Sequence, residues 1–223
     1  MGETSLHDEV KRWFSQPGDR MEEWVDGYLI DIVRGMGLIE IQTGNFSAIK
    51  AKLEDLVGRH PVRLVHTIAE TKWIVRLDAR GERVSRRRSP RRGRVEDLFL
   101  ELVYIPHLMR EVNFSLEALL IHSEEELIDD GRGSWRRRRW SVHDRRLLDV
   151  VGRITFSTPA DYLKLLPATL HKEFTTRELA ESLQLRANIA QKMTYSLRHM
   201  NVIETIGKRG RARLYALKQE CPS

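Results

Sequence analysis

The chain of 223 residues is poor in the residues that build covalent or membrane frameworks. Its single cysteine, Cys221, excludes an internal disulfide and a zinc site made of cysteines, so a reducing compartment fits. No segment approaches the about 20 apolar residues of a membrane span, and the N-terminus has no apolar signal core. We therefore expect a cytoplasmic protein with no membrane partner.

Several kinds of catalytic site are also missing from the sequence. The eight histidines include no pair at a metal-ligand spacing, and the lone cysteine is close to the end of the chain. No Gly-x-x-x-x-Gly-Lys loop is present, and such a loop is what cradles nucleotide phosphates. These absences argue against a zinc enzyme, a cysteine nucleophile and ATP or GTP hydrolysis.

Positive charge is what the chain has in excess. It contains 38 lysines and arginines against 32 acids, a net charge of +6. Residues 80–94 include eight arginines and one acid, and residues 136–139 are four arginines between two tryptophans. A basic balance of this kind indicates a polyanionic partner, most often nucleic acid. The residues assigned here to phosphate contact are Arg86, Arg87, Arg88, Arg91 and Arg92.

These arginine clusters also allow simpler interpretations. The first cluster is expected to be a mobile, solvated loop, which would keep the protein soluble without binding anything. Trp135 and Trp140 can stack on bases, but the favoured interpretation is that they anchor their segment to the domain.

The spacing of apolar residues predicts an α/β fold, with a helix between strands that indicates a crossover and a mixed sheet. An apolar fraction of 41% over the chain is enough for real cores. The predicted elements are a helix over 6–16, a hairpin over about 21–43, a helix from 45 or 47 to 60, strands over 62–68 and 72–77, helical spacing over 95–110, a strand over 114–121, and a helix from 141 that opens with a capping box.

The predicted hairpin carries acidic residues inside strongly apolar strands. Asp31 lies within Leu29–Val33, and Glu40 and Gln42 follow a glycine turn. Buried carboxylates are costly unless a metal ion or a partner compensates them. Because side chains alternate along a strand, Gln42 shares a face with Glu40. The three side chains are therefore expected to converge on one point.

This hairpin, with the helices around it, resembles the metal-binding hairpin of the PD-(D/E)xK nuclease superfamily. The resemblance covers about residues 5–77. It implies a restriction-endonuclease-like core in which Asp31 and Glu40 bind Mg²⁺ or Mn²⁺ and Gln42 orients the attacking water. The family often takes a further carboxylate from the preceding helix, and Glu9 is the candidate. Hard oxygen ligands of this kind suit Mg²⁺.

The sequence departs from this family at Gln42, where the usual residue is lysine. Glutamine only hydrogen-bonds, whereas lysine also offsets negative charge. Some members carry glutamine here, and Lys50 on the next helix is a candidate for the missing charge. The departure also fits a degenerate member that does not cleave.

Other interpretations of the two acids stay open. Asp31 can be a carboxylate held by a neighbouring arginine, Glu40 an edge-strand acid facing solvent, and Asp26 competes with Asp31 as the ligand.

The C-terminal segment, residues 141–218, resembles the winged helix-turn-helix domains. Its most specific part is a capping box, Thr175-x-x-Glu178, followed by a helix over 186–200 and a hairpin with a Gly-Lys-Arg-Gly tip. The resemblance implies that Ile189, Met193 and Leu197 face inward. It implies that the opposite face of the helix meets the major groove through Asn188, Gln191, Lys192, Tyr195 and Arg198. It also implies that the hairpin contacts phosphate through Lys208, Arg209, Arg211 and Arg213. A winged helix used for protein contacts is the alternative.

Together these features predict a DNA-binding protein that hydrolyses phosphodiester bonds as a metal-dependent endonuclease, in DNA repair or defence. The rival hypothesis is a non-cleaving DNA-binding transcriptional regulator with a nuclease-like scaffold. RNA as the substrate and assembly as a homodimer stay open. The predicted domains are a nuclease-like α/β domain over 1–122 (core about 5–80, arginine loop 80–94, helical extension 95–122), a connector over 123–140, and the winged helix over 141–223.

Overall fold

The structure is a computed structural model that describes residues 5–130 and 140–218. The second arginine run, residues 136–139, and Cys221 lie outside this part of the chain. The first half contains α1 (Ser5–Phe14), β1 (Arg20–Val25), β2 (Tyr28–Arg34), β3 (Gly37–Gln42), α2 (Phe46–Val57), β4 (Val62–Leu77) and β5 (Arg83–Arg88).

The second half begins with three short helical segments and ends with a small sheet. Its elements are a 3-10 helix (Val95–Leu98), α3 (Phe99–Leu102), a second 3-10 helix (Pro106–Arg110), β6 (Phe114–Ile128), β7 (Ser141–Phe156), a third 3-10 helix (Pro159–Leu165), β8 (Glu173–Thr175), α4 (Thr176–Leu183), α5 (Ala187–His199), β9 (Ile203–Arg209) and β10 (Ala212–Leu217).

Within the described residues, seven strands form one mixed sheet of the α/β class. Its order is β1-β2-β3-β4-β6-β7, and β5 pairs with β4. The first three strands are an antiparallel meander, and α2 lies between β3 and its sheet neighbour β4 in the sequence. Three further strands form a second sheet in the order β8-β10-β9.

The chain divides into two compact units. The sheet unit comprises the described parts of residues 1–44, 65–95 and 117–154. The helical unit comprises the described parts of residues 45–64, 96–116 and 155–223. Each unit has its own apolar core.

In the sheet unit, α1 packs its apolar stripe against the strands. Leu6, Val10 and Phe14 are spaced four residues apart, which places them on one side of the helix, and all three are buried. Burying such side chains stabilises the fold by roughly 1.5–3 kcal/mol each. The strand residues in the same cluster are Ile32, Ile39, Ile41, Val65, Leu119 and Ile121.

In the helical unit, Tyr162 is the centre of an aromatic cluster. Its ring stacks on Phe156 at 4.3 Å between centroids and meets Phe99 edge-on at 6.1 Å. Its hydroxyl lies 3.1 Å from the sulfur of Met109. The third 3-10 helix, which carries Tyr162, begins at Pro159 with a capping box of Thr158 and Asp161.

The prediction of a helix from residue 141 is wrong, because this segment forms strand β7. Its β-branched residues favour a pleated strand, and exposure alternates along its second half. The apparent capping box has another use: Asp144 accepts hydrogen bonds from the backbone N–H and the hydroxyl of Ser5, at 3.0 and 2.6 Å. The Ser141–Asp144 motif therefore does not start a helix.

The arginine-rich loop predicted over residues 80–94 is also wrong for residues 83–88, which form β5. Beyond β5 the backbone returns to β4, where Ser89 N–H donates to the Lys72 carbonyl at 2.7 Å and Gly93 N–H donates to the Ala69 carbonyl at 2.9 Å. At Gly93 a Cβ atom would lie 2.5 Å from that carbonyl oxygen, so only glycine fits this approach.

Three other element boundaries differ from the prediction. The two strands over 62–68 and 72–77 are one continuous strand, β4. The helical spacing over 95–110 is broken into three short segments, and β6 runs to Ile128, so the start of the predicted connector is strand. The other predicted elements are confirmed: α1, the hairpin formed by β2 and β3, α2, α5 and the β9–β10 hairpin. The residues before that hairpin of β2 and β3 add a third strand, β1.

Candidate functional site

The β2–β3 hairpin brings the two predicted acids to adjacent positions. Its antiparallel pairs are Arg34 with Gly37, Val33 with Leu38, and Ile32 with Ile39. Asp31 and Glu40 are the next residues outward from the last of these pairs.

Protein groups hold both oxygens of the Asp31 carboxylate. The backbone N–H of Ile41 donates to Oδ2 at 2.8 Å. The other oxygen, Oδ1, is 3.0 Å from Nε2 of His7 and 3.6 Å from the ammonium of Lys11. An ionised carboxylate only accepts hydrogen bonds, so Nε2 of His7 is the donor.

His7 and Lys11 both come from α1, one helical turn apart. This i, i+4 spacing puts them on one side of the helix, next to the stripe that packs against the sheet. Lys11 is nearly buried, with 6% of its side chain exposed, and its ammonium also donates to Glu22 Oε1 at 2.6 Å. A buried ammonium with acidic partners is the arrangement in which burial of a charge is tolerated.

Glu22 lies across from Asp31 on the neighbouring strand. The β1–β2 register pairs Met21 with Ile32 and Glu23 with Ile30, so the position between them sets Glu22 against Asp31. Glu22 also has a left-handed backbone, φ 52°. Like charges directly opposite each other are destabilising, and the ammonium of Lys11 between the two carboxylates offsets this repulsion.

The surroundings of Asp31 shift its pKa below its ordinary value. Burial alone raises the pKa of the carboxyl, because it disfavours the charged form. The hydrogen bonds from His7 and Ile41, followed by the charges of His7 and Lys11, outweigh that effect. Asp31 is therefore held as a carboxylate.

Of the other three predicted catalytic residues, Glu40 is next to Asp31 in the hairpin, whereas the Gln42 backbone and the Glu9 side chain make contacts elsewhere. Glu40 is buried, with 5% exposed, and does not face solvent as an edge-strand acid would. The backbone oxygen of Gln42 accepts a hydrogen bond from Nδ1 of the buried His66 at 2.7 Å. Glu9 accepts a hydrogen bond from the backbone N–H of Leu147 in β7 at 2.6 Å. Because Glu9 is two residues from His7 on α1, it points away from Asp31.

The alternatives named for the site are also located. Lys50, proposed to supply the charge that Gln42 lacks, lies 3.7 Å from Glu54 in an i, i+4 ion pair on α2. Asp26, the competitor of Asp31, is in the turn between β1 and β2 with φ 50°. The lysine beside Asp31 is Lys11. The charge near Asp31 thus comes from α1, not from a neighbouring arginine.

A divalent cation at Asp31 would compete with the protein groups that already contact its carboxylate. Both carboxylate oxygens already accept hydrogen bonds, and a cation bound to Oδ1 would lie close to the ammonium of Lys11 and be repelled by it. In residues 5–130 and 140–218, no group of three or more His, Cys, Asp or Glu side chains is arranged to hold a metal ion. The compensation that the sequence assigned to a metal is supplied by α1.

Sequence reasoning missed His7 and Lys11. The available signal is their i, i+4 spacing on a helix whose apolar stripe marks the side facing the hairpin. A cation and an imidazole beside that stripe are candidates to compensate any acid buried under the helix.

In the helical unit, α4 and α5 have the predicted local structure. Thr175 and Glu178 form the capping box of α4, with Glu178 N–H donating to Thr175 Oγ1 at 3.3 Å and Thr175 N–H donating to Glu178 Oε2 at 2.7 Å. The inward residues of α5, Ile189, Met193 and Leu197, are buried as predicted. The exposed predicted contacts are Asn188, Gln191 and Tyr195.

Two predicted contact residues of α5 are partly covered instead. The ammonium of Lys192 donates to the backbone oxygen of Leu100 in α3 at 2.9 Å and lies 5.4 Å from the centroid of the Tyr104 ring. Arg198 is half-buried and its guanidinium is 3.5 Å from Nε2 of His199. Lys192 therefore connects α5 to α3, which sequence periodicity does not reveal.

The β9–β10 hairpin has an exposed basic tip. Arg209 at this tip forms an ion pair with Glu178 at 2.5 Å and so connects the hairpin to the start of α4. In the sheet unit, the arginines of β5 are exposed as well, and Arg91 and Arg92 follow that strand. The other exposed basic residues of the hairpin are Lys208, Arg211 and Arg213.

Replacing the buried ammonium is expected to destabilise the fold. Lys11→Met keeps an unbranched side chain one atom shorter than lysine but leaves Asp31 and Glu22 facing each other, at an expected cost of about 3 kcal/mol. The free energy of unfolding from denaturant titration measures it. The control is Arg59→Gln, which breaks an exposed ion pair with Asp55 and should cost under about 0.5 kcal/mol.

The coupling between these groups distinguishes compensation from simple packing. If the ammonium neutralises Asp31, then Asp31→Asn should cost less in the Lys11→Met background than in the unsubstituted protein. Strictly additive losses would contradict the role given to Lys11.

The depressed pKa of Asp31 gives a stability that depends on pH. Its contribution is complete above the unfolded carboxyl pKa of about 3.9 and is lost as pH falls from there through the lower folded value. Unfolding titrations between neutral pH and pH 3 should therefore show a smaller acid loss for Asp31→Asn than for the unsubstituted protein. Asp55→Asn, at an exposed site, is the control and should retain the full loss; equal losses in all three proteins would be inconsistent with this assignment.

No helix among the described residues is long and apolar enough to cross a membrane. Comparison with known proteins finds 29% identity over 217 residues to an uncharacterized protein of Treponema pallidum (strain Nichols), covering 96% of this chain and 84% of that protein. No solved structure matches. A family model, Domain of unknown function (DUF8091), matches residues 4–157 and ends just after β7. The chain therefore belongs to the DUF8091 family.

Proposed function

We propose that this protein binds double-stranded DNA through α5 and the β9–β10 hairpin, in the manner of a winged helix-turn-helix domain. The observation that carries the proposal is the division of α5. One side is buried in the helical unit, and the other exposes Asn188, Gln191 and Tyr195 beside a basic hairpin.

The order of elements supports this proposal. A capped α4, a short turn and α5 are followed by the antiparallel β9–β10 pair, and β10 also pairs with β8. A helix placed in this way can enter the major groove while the strands beside it contact the backbone.

The chemistry of the exposed residues suits such a role. Asparagine and glutamine side chains can donate to and accept from the edge of adenine, so Asn188 and Gln191 are the base-reading candidates. Lys208 and Arg211 on the hairpin suit phosphate oxygens. Lys192 leaves the set of candidates, since its ammonium already donates to the carbonyl of Leu100.

For the β2–β3 hairpin we propose a structural role in a nuclease-like scaffold that does not cleave. The helix, three strands, helix and strand from α1 to β4 follow the order expected from the resemblance to the PD-(D/E)xK superfamily. The contacts of Asp31 with His7 and Lys11 favour the regulator hypothesis over the endonuclease hypothesis.

The binding surface on α5 is tested by fluorescence anisotropy with duplex DNA. A preferred duplex is first selected from a random pool by binding to the unsubstituted protein. Asn188→Ala with Gln191→Ala should reduce the preference for that duplex over random duplex at least tenfold, since each lost base contact removes about 1–3 kcal/mol of discrimination. Glu181→Ala, an exposed change on α4, is the control and should leave the preference unchanged. Unaltered preference in the double variant would contradict a recognition role for α5.

The alternative of catalysis is tested by plasmid nicking with Mg²⁺ or Mn²⁺. We expect DNA binding without nicking, both for the unsubstituted protein and for Asp31→Ala with Glu40→Ala. Metal-dependent nicking that this pair of substitutions abolishes would establish the endonuclease and overturn the structural role.

A further inference from the structure

We propose that β4 and β5 form a second DNA-binding surface, an arginine ribbon that grips the phosphate backbone of duplex DNA and whose arginines are positioned by Trp73. This inference rests on the proposed DNA-binding function but uses a different part of the molecule, the sheet unit. The arginine ribbon is defined as the antiparallel pair of Trp73–Leu77 with Arg83–Arg88.

The arginine ribbon presents a dense row of positive charge. Each residue of β5 is exposed, and four of its six residues are arginines, at positions 83, 86, 87 and 88. A surface of this composition is complementary to the phosphate backbone, and contacts of this kind carry no sequence information. We therefore expect the phosphate backbone of duplex DNA to bind to the arginine ribbon.

Trp73 fixes two of these arginines in place. The register pairs Trp73 with Arg88 and Val75 with Arg86, so both arginines are on the face of the ribbon that carries the indole. Their guanidinium carbons lie 5.8 and 5.0 Å from the centroid of the Trp73 ring. These distances are typical of cation–π contacts.

Each guanidinium is held from a second side. Nε of Arg86 donates to Glu124 at 2.7 Å, and a terminal nitrogen of Arg88 donates to the hydroxyl of Thr71 at 2.8 Å. The ring of His122 meets Trp73 edge-on at 5.8 Å, which supports the indole in turn. A guanidinium has five N–H donors, so one hydrogen bond on each arginine leaves other donors for phosphate oxygens.

Because the arginine side chains are already held in place in the free protein, they lose less conformational entropy when DNA binds. A long side chain loses rotamer freedom when it contacts phosphate, and rigidity in the bound conformation reduces that loss. Trp73 is therefore a positioning residue: it should set the affinity without changing the number of phosphates contacted.

Affinity as a function of salt separates these two effects. Binding of the full chain to a short duplex is measured by anisotropy across a salt series. Arg86→Gln with Arg88→Gln should reduce the slope of log K against log[salt] by about 1.8, since each phosphate contact contributes about 0.9. Trp73→Leu should weaken binding about three- to tenfold with an unchanged slope, and Trp73→Phe, which keeps an aromatic ring, should restore most of it.

Arg20→Gln is the matched control, because Arg20 is an exposed arginine on β1 with its own ion pair to Glu23. An equal slope change in this control would mean a general effect of net charge and would overturn the proposal. Circular dichroism and the unfolding midpoint show whether each variant is folded. If Trp73→Leu does not fold, the comparison of Trp73→Phe with the unsubstituted protein still tests the positioning role.

The outcomes distinguish this proposal from the proposed function. No duplex binding by the unsubstituted protein would overturn both. Binding whose slope survives the double arginine substitution would overturn the arginine ribbon alone. A slope change for Trp73→Leu as large as that of the arginine pair would overturn the positioning role. Tighter arginine-dependent binding to duplex RNA than to DNA would overturn the choice of occupant.

Discussion

The compensation of one nearly buried carboxylate, that of Asp31, organises the sheet unit. Three separate parts of the chain meet at this side chain: α1 through His7 and Lys11, β3 through the backbone of Ile41, and β1 through the ion pair of Lys11 with Glu22. A charge in an apolar strand must be balanced, and here a histidine and a lysine next to the apolar stripe of α1 balance it. The position of α1 and the ionisation of Asp31 therefore depend on each other.

The contacts of Asp31 with His7 and Lys11 affect function because they decide which charged groups can bind a ligand. Asp31, which suggests a metal site from sequence, is in the folded chain engaged with protein donors and close to an ammonium. The basic residues are distributed differently: on the strand pair of the arginine ribbon in the sheet unit, and around α5 and the β9–β10 hairpin in the helical unit. Charge that is exposed and clustered suits binding of a polyanion, whereas charge that is paired and buried suits the fold.

Sequence reasoning predicts elements well where a regular pattern is undisturbed. Ile189, Met193 and Leu197 are a clear helical stripe and are buried. It fails at β7, where a capping-box motif outweighed β-branched residues, and at β5, where arginines suggested a loop although pairing with β4 makes a strand. The spacing of His7 and Lys11 beside the apolar stripe makes them candidate partners of a buried acid, but which acid they contact follows from tertiary packing. The anchoring of Trp140 agrees with the observed cation–π contact of Arg76, 5.2 Å from its ring.

The most direct test of the account is a crystal structure of the protein soaked in Mn²⁺, with anomalous scattering to locate the metal. The account predicts Lys11 beside Asp31, as in the structure described above, and no anomalous peak at that carboxylate. A manganese peak bound by Asp31 and Glu40, with the ammonium of Lys11 moved away, would contradict it and would restore the hairpin as a metal site.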